Sequence, residues 1–165
     1  MARARMRGVA PPVHEGIAAL SGLIGAWSGS GHGRYPTIGP FDYLETVAIT
    51  HVGKPFLSYN QRTQHTSTGQ PLHTEAGFWR MGHLGQVELL IAQPTGLVEV
   101  LEGTIESATI RLRTSLVGRT SSAKEVTVVE RDFAIGEDVL TYSLRMTAVG
   151  CDLTHHLEAE LHRVE

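Results

Sequence analysis

The sequence is poor in the features that mark disulfide-bonded, membrane-spanning or polyanion-binding proteins. It has one cysteine, Cys151, so no internal disulfide can form and we expect a reducing, cytoplasmic compartment. The nearest approach to a membrane helix is the short apolar stretch at 88–92, far below the roughly 20 residues that are needed. A formal net charge of −3 gives no reason to expect nucleic acid or an anionic membrane as a partner.

Common catalytic and metal-binding motifs are also absent. The sequence contains no HExxH, GxSxG or GxGxxG. Cys151 lies near His155 in sequence, but that proximity alone does not align a thiolate with a base. A zinc site built from His156, Glu158 and His162 is disfavoured, because on one strand these residues are spread over about 20 Å.

The N-terminal segment begins with the basic residues of MARARMRG but lacks the continuous apolar stretch of a signal peptide. We predict a disordered tail over residues 1–12 and a single domain over 13–165, a length that suits one core. The first part of this domain has apolar residues at helical spacing, which predicts one short amphipathic helix. These residues are Val13, Ile17, Leu20 and Ile24.

The rest of the domain has the period-two pattern of β-strands, separated by turn-forming residues. About ten short strands joined by short loops favour an all-β, antiparallel up-and-down arrangement. Closure into a barrel would remove the two exposed edges and leave room for a small ligand. The predicted strands span 27–35, 41 onward, 56–66, 72–81, 86–92, 96–102, 109–117, 125–133, 139–149 and the C-terminal stretch.

Two stretches stand out within this pattern. The C-terminal stretch holds His155, His156 and His162, and a histidine on the last strand of a closed sheet is a candidate axial ligand for heme or a metal. On a regular strand, however, the leucines would turn inward and His156 would face water, so a solvated polar face is the alternative. The second stretch, 25–38, alternates glycine with other residues, which permits a sharp bend or the close approach of another element or a flat ligand.

The same two stretches carry a resemblance to a known family. The run GxWxGxGxGxYPTI over 25–38, followed by FxYxE and HxGKPF, resembles the nitrobindin family, as does the ending MxAVG with HLxAxLHR. The resemblance covers about 17–163. It implies a ten-stranded antiparallel β-barrel, similar in shape to fatty-acid-binding proteins and lipocalins, with heme b near the barrel mouth.

The resemblance also implies a set of site residues. It assigns His156 as the axial ligand of the heme iron, with His155 as a lower-ranked alternative that strand parity leaves open. It places Thr37 and Lys124 against the heme, the lysine near a propionate.

The glycine motif completes that set. Gly25, Trp27, Gly29 and Gly31 belong to it, and the glycines would form a wall without side chains beside the macrocycle. His32 departs from the small or apolar residue expected at its place, and it would alter the ligand pocket if it faced the iron.

The activity implied by the resemblance is nitric oxide binding and the isomerisation of peroxynitrite to nitrate at a ferric heme, in a monomer or homodimer. The alternative is a non-catalytic carrier or sensor for heme, nitric oxide or a fatty-acid-like molecule. A fatty acid would need an interior cation, and Arg145, Arg111 or Arg113 could serve by composition. Strand parity places Arg145 away from the core, which weakens this alternative.

Overall fold

The computed structural model describes residues 10–165, which form a closed antiparallel barrel of ten strands. Each strand pairs with the next in sequence, and the last pairs with the first to close the barrel. The predicted all-β, up-and-down barrel is therefore confirmed. In chain order, β1 to β10 are Gly25–Tyr35, Ile38–Thr50, Leu57–His65, Pro71–Met81, Val87–Ala92, Leu97–Glu106, Thr109–Arg119, Val126–Ile135, Val139–Ala148 and Cys151–Val164.

Alternation of buried and exposed side chains explains why these segments form strands. In β2, Tyr43, Val47 and Ile49 are buried while their neighbours are exposed, so one face of the strand lines the barrel interior. One half of the interior is a packed apolar core. Its largest fully buried side chains include Trp27, Trp79, Leu57, Leu89, Leu101, Ile110 and Leu140.

The end of the barrel nearest this core is closed by a short N-terminal helix. The structure confirms a helix at the predicted place, but it is a 3₁₀ helix over Glu15–Leu23 with a kink at Ile17. Its buried residues are Ile17, Leu20 and Leu23, a spacing of three that matches the 3₁₀ repeat, whereas Val13 is exposed. A second 3₁₀ turn, His83–Gly85, connects β4 to β5.

The opposite end of the barrel, which we call the mouth, is formed by five exposed connections. They span 36–37, 66–70, 93–96, 120–125 and 149–150. Of the predicted tail, residues 1–9 lie outside the described residues, and 10–12 are exposed and belong to no helix or strand. Within 10–165, no helix is long and apolar enough to cross a membrane.

Candidate functional site

His156 lies where the last strand departs from regular pairing. Along β10, His155 is opposite Arg145 of β9, and Leu157 is opposite Leu144. His156 is therefore an extra residue between two consecutive pairs, which is a β-bulge. A bulge re-aims the side chain, so the parity rule that turned His156 toward water does not apply here.

The imidazole of His156 is held at the mouth by one hydrogen bond and two aromatic contacts. Its ring meets those of Tyr35 and Phe41 edge-on, with centroids 5.5 and 6.4 Å away. Nδ1 lies 3.1 Å from the backbone carbonyl of Arg34, and because a carbonyl only accepts, Nδ1 donates. This tautomer leaves the lone pair on Nε2, which has no hydrogen-bond partner among residues 10–165.

Burial is the main influence on the protonation of His156. It lowers the pKa of this side chain, with the hydrogen bond to Arg34 acting in the opposite direction. The site therefore favours a neutral imidazole whose Nδ1–H is fixed by a carbonyl. That is the form in which histidine binds a metal, and the outer hydrogen bond orients the ring.

The phenol of Tyr35 bonds the backbone of β9 and packs against His156. Its oxygen lies 3.1 and 3.3 Å from the carbonyl oxygens of Met146 and Ala148, and it accepts a hydrogen bond from the Ala148 N–H at 3.0 Å. These groups belong to β9, so the side chain reaches from β1 past β10. Tyr35 thereby satisfies backbone groups of β9 that lie opposite Cys151 and Thr154, and its ring packs against His156. Tyr35 belongs to the YPTI motif, but sequence reasoning did not identify it as a site residue.

The other predicted ligands and contacts divide between the two faces of the sheet and the mouth. His155 pairs with Arg145 on the outside of the barrel, and its Nε2 lies 3.6 Å from a carboxylate oxygen of Glu158. Thr37 and Lys124 are both exposed, in the β1–β2 and β7–β8 connections. These connections lie at the mouth, the end at which His156 is found, and the contacts of Thr37 and Lys124 with heme remain predictions.

Aromatic side chains of the barrel, rather than a ligand, occupy the space beside two glycines of the motif. A Cβ added at Gly31 would lie 2.2 Å from the ring of Tyr43, and one at Gly33 would lie 2.3 Å from the ring of Phe41. The expectation of a macrocycle against the glycines is therefore wrong for these two positions. Gly33 affects the site indirectly, because the Phe41 ring that packs over it also contacts His156.

The remaining motif residues lie away from the mouth. Trp27 is buried near the closed end, where its Nε1–H donates to the Leu23 carbonyl at 2.9 Å and Arg163 stacks on its ring at 4.2 Å. Gly25 lies under the same arginine, and Gly29 lets β10 approach closely. These residues have structural roles.

His32 faces the outside of the barrel. It pairs with Asp42 at 2.7 Å, and both side chains are largely exposed. The anticipated effect of His32 on the ligand pocket is therefore not supported.

A buried charged network forms a floor below the mouth, and sequence reasoning missed it. The Arg131 guanidinium donates to both oxygens of Glu75 at 2.7 and 2.9 Å, and to Glu99 at 2.9 to 3.1 Å. Burial alone would raise the pKa of Glu75, but Arg131 outweighs it and lowers that pKa to about 2. Burial raises the pKa of Glu99, because one cation does not fully compensate two buried carboxylates.

A second buried carboxyl group lies nearby in the interior. Tyr142 donates to Glu45 Oε2 at 2.6 Å and shares a hydrogen bond of 2.9 Å with Tyr43. Burial raises the pKa of Glu45 to about 7. The barrel interior is thus apolar toward the helix and polar toward the mouth.

The charged floor argues against a fatty acid as the ligand. Arg145, Arg111 and Arg113 are all exposed and pair with carboxylates on the outer surface. The interior arginine is Arg131, and both sides of its guanidinium already face carboxylates. No interior arginine in the described part of the chain is therefore free to meet a fatty-acid carboxylate.

A cavity of about 620 Å³ lies on the outer surface of β1, β8, β9 and β10, away from His156. Its lining includes Asp42, Asp132, Glu158 and Glu160. This groove is open and rich in carboxylates, which would repel an anionic ligand and do not suit an apolar one. We therefore assign the functional site to the mouth.

Comparison with known proteins identifies the family of this barrel. The family described as THAP4-like, heme-binding β-barrel domain matches residues 16–163, nearly the whole chain. The chain belongs to this family. The resemblance to nitrobindins is confirmed, and heme is the cofactor of the matching domain.

Individual members of this heme-binding barrel family agree with the assignment. The chain is 47% identical over 155 residues to a Nocardia farcinica protein named peroxynitrite isomerase, covering 92% of each chain. It is 48% identical to peroxynitrite isomerase 1 of Mycolicibacterium paratuberculosis, covering 92% of this chain and 96% of the relative. The crystal structure of Rv2717c from M. tuberculosis superposes with a TM-score of 0.87 at 45% identity, covering 93% of this chain and all of that one.

The residues at the mouth fit the heme of this family. His156 offers a neutral imidazole with its outer nitrogen hydrogen-bonded and Nε2 available, the donor that a heme iron takes. Its surroundings include the rings of Tyr35 and Phe41, as an apolar macrocycle requires. Ile38, which pairs with Tyr35 at the mouth, is 45% exposed, and contact with a flat apolar ligand would cover it.

Proposed function

We propose that this chain binds heme b through Nε2 of His156 and, with ferric iron, isomerises peroxynitrite to nitrate. The observation that carries the proposal is the bulge of β10, which turns His156 into the mouth with Nδ1 tied to the Arg34 carbonyl. Relatives that are 47 to 48% identical over 155 residues are named for this reaction, which supports the same activity here.

The residues of the chain have separate parts in this proposal. Heme, when bound, supplies an iron with an open coordination position at which the rearrangement of peroxynitrite takes place. His156 binds the iron, and Arg34 and Tyr35 fix the ring. Thr37 contacts the cofactor at the rim, and the Lys124 ammonium neutralises a propionate. No side chain is assigned as general acid or base.

Further aspects of the function stay predictions. Nitric oxide is a small neutral ligand for the same iron position, and its binding accompanies the activity in our proposal. A single cysteine without a disulfide partner fits a reducing compartment, so we propose a cytoplasmic location. We predict no nucleic-acid or membrane partner, and a monomer or homodimer.

The second candidate is a non-catalytic carrier or sensor of heme or nitric oxide, built on the same site. It differs from the first only in turnover. The fatty-acid form of this alternative is disfavoured by the saturation of Arg131.

The test is reconstitution of the purified chain with hemin, beside His156→Ala and the matched control His155→Ala. We expect a stoichiometric Soret band in the parent and in His155→Ala, and its loss in His156→Ala. The decay of peroxynitrite, followed by stopped-flow absorbance with nitrate quantified, should then accelerate only with the first two proteins. Absence of stoichiometric heme in the parent would overturn the proposal, and heme binding without faster decay would leave the carrier as the function.

A further inference from the structure

A second histidine, His73, lies at the mouth on the side of the barrel opposite His156. It belongs to β4, which is four strands from β10 around the ten-stranded ring. On β4 it shares the inward face with the buried residues Glu75 and Trp79, and its side chain is 28% exposed. His156 lies at the same end of the barrel on β10, so the two histidines are at the mouth on opposite sides of the ring of strands.

The ring of His73 is held by the charged floor of the mouth. Its Nε2 lies 3.7 Å from Glu75 Oε1. Glu75 is itself fixed by two hydrogen bonds from Arg131, at 2.7 and 2.9 Å, and by one from the Tyr59 hydroxyl at 3.3 Å. Glu99 holds the other side of the guanidinium, so the arginine cannot turn away. The anchor of His73 is thus a rigid, buried carboxylate.

Two other polar side chains near the mouth are already engaged. The Tyr35 hydroxyl bonds the backbone of β9, and the Thr63 hydroxyl lies 3.5 Å from the carbonyl of His73 itself. The second ring nitrogen of His73, Nδ1, has no hydrogen-bond partner among residues 10–165. With Nε2 facing Glu75, Nδ1 is left for a partner in the mouth, and an N–H on that nitrogen would donate to an anion.

We propose that His73 hydrogen-bonds the small anion held on the open side of the heme, with Glu75 as the residue that positions it. This assignment rests on the function proposed above, since it requires heme on His156. His73 would make the site prefer anionic over apolar ligands, because a hydrogen bond to a charged group is among the stronger ones. No bond of His73 itself is made or broken, and no proton is consumed.

The experiment compares fluoride and carbon monoxide binding in the hemin-reconstituted parent, His73→Leu and His73→Gln. Fluoride titrates the ferric protein and accepts hydrogen bonds, whereas carbon monoxide binds the ferrous protein and accepts them weakly. The loss of a charge-assisted hydrogen bond is expected to weaken fluoride binding about tenfold or more in His73→Leu. The amide of His73→Gln should restore part of it, and the carbon monoxide affinity should change less than about twofold.

The controls separate this inference from the proposed function. His65→Leu removes an exposed histidine of β3 that bonds Ser67, and it should leave fluoride binding unchanged. Glu75→Gln should weaken fluoride binding less than His73→Leu, as expected of a positioning residue. Equal fluoride affinity in the parent and both His73 variants would overturn the assignment of His73, while the Soret band and peroxynitrite decay of the parent would still test the proposed function.

Loss of heme from folded His73→Leu and His73→Gln would also overturn the assignment, because His73 would then serve cofactor binding. Circular dichroism of the variants without heme reports whether the barrel has folded.

Discussion

The buried carboxyl group of Glu45 should make the stability of the barrel decline as the pH rises through neutrality. Its Oε2 accepts from Tyr142, and its Oε1 is buried without a hydrogen-bond partner in the described structure. Burial raises its pKa from 4.5 to about 7, so the folded state holds the proton more tightly than the unfolded chain. The resulting stabilisation is fully present below about pH 4.5 and is lost as the pH rises through 7. Its size is roughly 3 kcal/mol.

Glu45→Gln removes the titrating group while keeping the shape of the side chain. The glutamine oxygen still accepts from Tyr142, so the buried hydroxyl keeps its partner. We expect the variant to unfold with nearly the parent's free energy at pH 5. At pH 8.5 it should be the more stable protein, by roughly 2 to 3 kcal/mol.

Urea unfolding of the heme-free protein at pH 5, 6, 7 and 8.5 measures this difference directly. The control is Glu102→Gln, a change at an exposed carboxyl group of β6, which should follow the parent at every pH. Other groups, Glu99 among them, contribute equally to the parent and to Glu45→Gln, so the difference between the two isolates Glu45. An equal decline with pH in both proteins would refute the reasoning, as would a parent whose stability does not change between pH 5 and 8.5.

Two further variants test how the site is held. Tyr35→Phe leaves the buried N–H of Ala148 unpaired and should lower the free energy of unfolding by about 1 to 3 kcal/mol. Hydrogen exchange at that amide should be faster, and an unchanged exchange rate would contradict this role of Tyr35. Gly33→Ala places a methyl group 2.3 Å from the Phe41 ring, which must shift against His156, so hemin affinity should fall about tenfold if His156 binds the iron as proposed. The control Gly39→Ala meets nothing within 4 Å, and equal hemin binding by the two glycine variants would refute this role of Gly33.

The fold could be predicted from the sequence because period-two alternation is a local signal. Every predicted strand is present, and the main differences are at boundaries, such as β6, which continues to Glu106. The type of the N-terminal helix was harder to predict from the sequence. Leu20 fits both an α-helical and a 3₁₀ repeat, and the choice between them depends on how Leu23 packs against the end of the barrel.

The orientation of His156 could not be derived from alternation, because one inserted residue reverses which side chains face inward. Nothing in the local sequence marks the bulge, which depends on how β10 pairs with β9. Only the family resemblance pointed to His156 against parity.

The charged floor was hidden for a different reason. Arg131 meets partners 56 and 32 residues away in sequence, on strands that are not its neighbours. One signal was available, since Glu45 shares its parity with Tyr43 and Val47, and a carboxyl group on a buried face needs partners.

The apolar core and the charged network fill the barrel below its mouth, so the protein is not a deep container. The 3₁₀ helix and the apolar core fill the base, and the buried network around Arg131 lies between this core and the mouth. A cofactor or ligand therefore enters and leaves at one rim, with no strand parting from its neighbour. Exchange with the surroundings should be governed by the residues of that rim, so its rate can be altered there without weakening the barrel.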